Sequence, residues 1–210
     1  MIEYSDKLIE HASQVFGLGK SKVIVWSIRM PFLWDVKRVF EHTEEENQEL
    51  IDYYKPFLKE GMSKKEQVKA IALVVNKRIT YEQDLVTYTK VEWWARPIEV
   101  HRKQVDDCDG YAVLICYVLR LLGFAPWEIF VRAGDCVIDD GTLCGHAHVM
   151  WFDYDVGEWY PVEGSFYPNR CLNSLGVVAM RDNANYGLQK TWFITNDKLS
   201  YSGYPLKLVR

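Results

Sequence analysis

Asp106-Asp107-Cys108-Asp109-Gly110-Tyr111-Ala112 opens an apolar run that continues without a charge to Leu119. Asp106 and Asp107 are residue types that cap helix N-termini, no polar face interrupts the run before Arg120, and Gly123 followed by Pro126 ends it. The stretch predicts a buried helix with a cysteine in its first turn. Unpaired backbone amides and the positive end of the helix dipole favour a thiolate there and can hold a developing oxyanion. Three aspartates beside Cys108 act the other way and raise its pKa. The same cysteine also reads as a small buried core residue, so its chemistry depends on a partner base.

The chain of 210 residues is 49% hydrophobic and 14% aromatic, enough for a packed core. A net charge of -4 argues against a broad nucleic-acid or anionic-membrane footprint, and neither partner is expected. No apolar stretch approaches the roughly 18 to 20 residues of a membrane span. Glu3, Asp6, Lys7 and Glu10 do not form a signal-peptide layout, which gives the expectation of a cytoplasmic protein. The five cysteines, at 108, 116, 136, 144 and 171, are an odd set for which reduced thiols are the default. Cys136, Cys144, His146 and His148 could supply zinc, since 144, 146 and 148 would share one face of a strand; a Cys136 to Cys144 disulfide is a lesser option.

Around this centre, Val23 to Ile28 reads as a strand or buried segment, and residues 41–58 read as a surface helix broken near Pro56. Ser63 and Glu66 form a capping box before Val68, Ile71, Ala72 and Val75, a helical spacing up to Arg78, with Ile79 to Tyr81 as an extended exit. The stretch from Val91 to Glu99, with Trp93, Trp94 and Pro97, reads as a packed loop whose tryptophans anchor the core or wall a cleft. Beyond the cysteine helix, Trp127 to Arg132 predicts a strand, followed by an acidic loop from Gly134 to Gly141. His146 to Phe152 and Trp159 to Glu163 predict a hairpin around Gly157, and Thr191 to Thr195 and Lys198 to Tyr201 short strands after a loop-rich segment at 182–187. Helices first and antiparallel strands second is the order of an α+β fold.

A nucleophilic cysteine needs a base and a group that orients it. An even hairpin turn centred on Val156 and Gly157 would set Asp155 opposite Glu158, Met150 opposite Glu163 and His148 opposite Ser165. His148 and Glu163 would then be diagonal neighbours on one face, with His146 a pleat farther away. That register favours His148 as base, and a bulge would void it.

In order along the chain, these residues resemble the transglutaminase-like cysteine hydrolase superfamily. The likeness rests on Ile71 to Tyr81, Asp107 to Ala112, Leu119 with Leu122 to Phe124, Gly145 to Val149, and Trp159 to Glu163, and it spans Ser63 to about Asn169. Trp94, Pro97 and Glu99 with the aspartates around Cys108 look similar to the bacterial transglutaminase-like cysteine proteinases, a papain-related group. The resemblance implies a papain/transglutaminase-like core at 63–169, preceded by a mainly helical extension at 1–62 and completed by C-terminal strands at 170–210. It implies Cys108 as nucleophile, a histidine of the Gly145 to Val149 segment as base, and Glu163 at the position usual for aspartate. A His-Ala-Trp pattern selects His146, whereas an Ala-His pattern selects His148. The implied activity is hydrolysis or transfer at an amide, peptide or isopeptide bond of a protein or peptide substrate. An inactive binding module and a zinc-dependent hydrolase are the alternatives. Cys108's backbone amide, with Gln104 or Trp94, would receive the oxyanion. No cofactor is required, although some relatives hold calcium with acidic residues flanking the cysteine, where Asp107 and Asp109 stand here.

Overall fold

The computed structural model describes residues 7–12, 36–137, 143–165 and 188–202. The predicted segments at Val23 to Ile28 and 182–187 lie outside these residues. Helical residues 7–12 (α1) precede α2 (Val36–Val39), α3 (Glu44–Tyr54), α4 (Lys64–Arg78), α5 (Asp84–Thr87), α6 (Pro97–Lys103) and α7 (Cys108–Leu121). The strands are β1 (Thr80–Tyr81), β2 (Val105–Asp106), β3 (Ile129–Val137), β4 (Leu143–Asp153), β5 (Glu158–Val162), β6 (Leu188–Thr195) and β7 (Ser200–Ser202).

Local chemistry sets the helix boundaries. Ser63 and Glu66 form the predicted reciprocal cap on α4, and Thr43 with Glu46 does the same for α3, whose glutamate-rich first turn faces the positive dipole end. The helix α3 stops at Tyr54, and Pro56 follows in a 3-10 turn, Lys55–Phe57. The structure corrects the packed-loop reading of Val91 to Glu99. Pro97 is the first residue of α6, where its missing N–H costs nothing, and the Glu99 carboxylate accepts the Arg96 N–H at 3.0 Å. Asp107 caps α7, its Oδ1 accepting the Asp109 N–H at 3.3 Å, and Gly123 leaves the helix end at φ +100°.

The strands β5-β4-β3-β6-β7 form one antiparallel sheet in that spatial order, so the fold is α+β. Val131, Ala133, Ala147, Val149, Trp151, Tyr160, Val162 and Phe193 join the buried residues of α3, α4, α6 and α7 in one core. Phe130, Met150, Phe152, Trp159, Ile194 and Tyr201 form a second core with Leu8 and Ala12 of α1. The alternation along β3 and β4 assigns odd-numbered residues to the first core and even-numbered ones to the second. The strand β3 continues to Val137, into the segment predicted as an acidic loop, because β4 and β6 pair it on both sides. Outside this sheet, β1 and β2 pair in parallel and tie the exit of α4 to the entry of α7.

The β4–β5 hairpin departs from the predicted register by two residues. Asp153 opposes Glu158 and Met150 opposes Pro161, around a four-residue turn at 154–157. The Asp153 side chain accepts the Asp155 N–H at 3.0 Å, its carbonyl accepts the Gly157 N–H at 2.8 Å, and Gly157 takes φ +73°. Those bonds lengthen the turn at the expense of the strand ends. A two-residue shift keeps every side chain on its face and changes only its neighbours.

Candidate active site

Cys108 is the first residue of α7 and stays partly exposed, while the rest of the helix from Asp109 to Leu119 is buried. The strand β5 ends at Val162, opposite Val149, so its pairing with β4 stops short of Ala147. The Ala147 backbone hydrogen-bonds to the Cys108 sulfur and steadies a thiolate. Desolvation works harder the other way, and the charges of Asp107, Asp109 and Glu163 add to it, so the thiol pKa lies well above its ordinary value.

Glu163, just past β5, is brought to α7 by the residue after it. A Cβ on Gly164 would stand 2.5 Å from Ile115 Cδ1, so glycine allows this close approach. Asn76 of α4 donates to the Gly164 carbonyl at 2.7 Å. Glu163 Oε1 accepts the backbone N–H groups of Gly164 and Ser165, at 3.1 and 3.2 Å, and the Ser165 hydroxyl at 3.1 Å. Its Oε2 lies 2.6 Å from His146 Nε2. Burial alone would lift the Glu163 pKa, but His146, with help from His148 and Ser165, holds it down at about 2. Burial likewise opposes an imidazolium at His146, yet the Glu163 charge and hydrogen bond, aided by Asp107, raise its pKa. The two share a buried hydrogen bond that becomes an ion pair whenever His146 takes up a proton.

His148, the predicted base, sits elsewhere in this network. Its Nε2 lies 3.1 Å from the Met150 sulfur, and burial, with the Arg132 charge across the ladder, holds its pKa well below the ordinary value. The predicted register made His148 the diagonal neighbour of Glu163; after the two-residue shift, the carboxylate bonds His146. Among the proposed oxyanion donors, Gln104 is the left-handed C-cap of α6 at φ +59°, with an exposed side chain. The buried Trp94 donates its indole N–H to Glu92 at 3.0 Å and packs on Phe193. Cys136 opposes Cys144 in the β3–β4 ladder, and both side chains lie outside the described ones.

Acidic residues ring the other side of the cysteine turn. Asp106 ends β2, Asp107 caps α7 and Asp109 lies in its first turn, while Asp84 opens α5 and Glu92 joins from the loop that follows it. Oxygens of Asp84, Asp106 and Asp107 lie within 4.8 Å of one another, as do those of Asp84, Glu92 and Asp109. Tyr88 donates to Asp106 at 2.7 Å, and the Trp93 N–H donates to Asp84. Among the described residues, the buried Asp84 Oδ1 and Asp109 Oδ1 have no hydrogen-bond partner. Burial first, and then mutual repulsion, pushes the Asp84 pKa to about 8; burial also drives that of Asp106 to about 7. A Cβ on Gly110 would lie 2.1 Å from Asp106 Cγ, so only glycine lets that side chain tuck against α7. Sequence reasoning found the acids flanking Cys108 and missed Asp84 and Glu92, which lie in a polar stretch and a tryptophan-rich one with no spacing signal.

The helix-mouth cysteine, the histidine strand and the acid at the end of its neighbour define a transglutaminase-like fold. In keeping with that, the chain superposes on Legionella pneumophila LapG, a transglutaminase-like cysteine protease, with a TM-score of 0.53 at 13% identity, over 80% of this chain and 84% of LapG. Calcium-bound and EGTA-treated LapG structures match with the same score and identity. A TGase crystal structure is also similar, with a TM-score of 0.43 at 16% identity over 78% of this chain and 38% of the TGase. No family model matches the sequence, and none of the curated proteins does. Among the described residues, no helix is long and apolar enough to cross a membrane.

Proposed function

We propose that this protein is a thiol hydrolase of the transglutaminase-like type, acting on an amide bond of a peptide or protein, with Cys108 as nucleophile and His146 as its base. The observation that carries this reading is the 2.6 Å contact of His146 Nε2 with Glu163, one residue from the Ala147 backbone that bonds the Cys108 sulfur. Because Glu163 engages Nε2, Nδ1 is the nitrogen that exchanges a proton with the thiol. Cys108 Sγ attacks the substrate carbonyl as its proton passes to His146, and the Cys108 backbone amide, aided by Gln104, receives the oxyanion. His146 then gives the proton to the leaving amine, and a thioester remains. Water, or a second amine, resolves it.

The raised thiol pKa must be offset for this chemistry, and the acidic ring supplies a means. Asp84, Glu92 and Asp109, with Asp107 within reach of Asp84, fit a calcium ion: calcium takes oxygen ligands, and among the described residues Asp84 Oδ1 and Asp109 Oδ1 lack a hydrogen-bond partner. When bound, calcium would neutralise the charges that oppose the Cys108 thiolate. The calcium-bound LapG structure supports the same assignment.

Iodoacetamide labelling tests the proposal. Cys108 should alkylate faster than free thiol at neutral pH with calcium present, and His146→Ala should abolish the excess. A Cys108 no faster than free thiol, and indifferent to His146→Ala, would leave a fold used only for binding.

A further inference from the structure

His146 and His148 alternate along β4, so both rings leave one face of the strand, with centroids 5.9 Å apart. Glu163 reaches the same place from the end of β5, and one ligand atom from each of the three residues lies within 4.8 Å of the other two. Two imidazoles and one carboxylate are donors suited to zinc-class ions, which take three protein ligands and leave a fourth position open. Calcium, which prefers oxygen, is better served by the acidic ring.

The geometry points to a second, inhibitory metal site, in which His146, His148 and Glu163 hold a divalent ion of the zinc class. Its three ligands are assembled before any ion arrives: His146 is 8%, His148 1% and Glu163 8% exposed, and bonds from Gly164 and Ser165 already fix the carboxylate. The consequence for catalysis rests on the role proposed for His146. An ion held on His146 Nε2 takes the place of the hydrogen bond to Glu163 and leaves the imidazole proton on Nδ1, so the Cys108 proton has no acceptor.

Equilibrium dialysis of the metal-stripped protein against zinc chloride, with calcium saturating, tests the site without calling on thiol chemistry. One zinc per chain is expected, and cobalt(II) in its place should give visible bands of a low-coordinate site. His148→Ala should weaken binding by more than about 100-fold, beyond the loss of an outer-shell partner, and Glu163→Gln serves where that variant does not fold. Cys144→Ala should bind as the parent does. Zinc retained unchanged in both ligand variants, or no cobalt bands in the parent protein, overturns the site. Zinc should also slow Cys108 alkylation in the parent. Alkylation that is rapid and blind to bound zinc defeats the inhibitory role and leaves the hydrolase reading intact. Zinc bound through His148 beside an inert Cys108 upholds the metal site and defeats the hydrolase reading.

Discussion

Asn76 of α4 donates its side-chain amide to the carbonyl of Gly164 at 2.7 Å, pinning the residue that follows Glu163. The position of Glu163 therefore depends in part on α4. Asn76→Ala should cost about 1 kcal/mol of stability, the usual net worth of a hydrogen bond, and slow Cys108 alkylation by several-fold as Glu163 loosens. Asn76→Ser, with a shorter donor, should recover less than half of that rate. Denaturant midpoints and iodoacetamide kinetics measure the two effects separately; an unchanged rate with the full stability loss would make Asn76 structural only.

The two histidines should part company in kinetics. His146→Ala removes the group that Glu163 orients, and Cys108 reactivity and any amidase turnover should fall by about 10² to 10⁴, the usual contribution of general base catalysis. His148→Ala leaves the His146–Glu163 contact in place, so its loss should stay below about tenfold in metal-free buffer. Alkylation rates of both variants across pH decide the matter. Equal losses would mean that the base is shared.

This choice of histidine marks where the sequence stopped being legible. The spacing of Val68, Ile71, Ala72 and Val75 and the caps at Ser63 and Asp107 determine α4 and α7 locally, so both were readable. The face shared by His146, His148 and Glu163 was readable too, because strand alternation survives an even shift. The register was not, because Asp153 closes the hairpin turn through two bonds that no residue pattern announces. The helix α6 was hidden by its own proline, which reads as a breaker in a strand but starts a helix at the first position. Asp84 and Glu92 join the acidic ring through chain folding alone.

Glu163→Gln keeps the shape of the orienting side chain and removes its charge. In the parent, Glu163 ionises well below its unfolded value and His146 above its own. The carboxylate's contribution to stability is therefore present above about pH 4.5 and lost as pH falls toward 2. The histidine's contribution is present below about pH 6.5, its unfolded value, and lost as pH rises through its raised folded one. Stability conferred by the pair should peak between those limits. The glutamine variant should lack that peak and lose about 3 kcal/mol within it, since a buried partner is left alone. Urea midpoints across the range test this; parallel profiles for parent and variant would show that the pair contributes nothing.

The acidic ring should make the calcium-free protein less stable as pH rises. Asp84, at about 8, and Asp106, at about 7, keep protons in the folded state that the unfolded chain releases near pH 4. The folded state thus binds more protons between those limits, and stability falls as pH climbs through the window. With EGTA, Tm should drop from pH 5 to pH 8, and calcium should restore it at the upper end by replacing the lost protons. Binding at pH 7 should release protons for the same reason. Asp84→Asn removes the carboxylate common to both oxygen clusters and should raise the calcium-free Tm at pH 8 while abolishing most of the calcium response. Scanning calorimetry with and without calcium checks both signs. If Asp84→Asn lowers the calcium-free Tm, repulsion within the ring is not what limits the fold, and the raised pKa values of its members lose their energetic meaning.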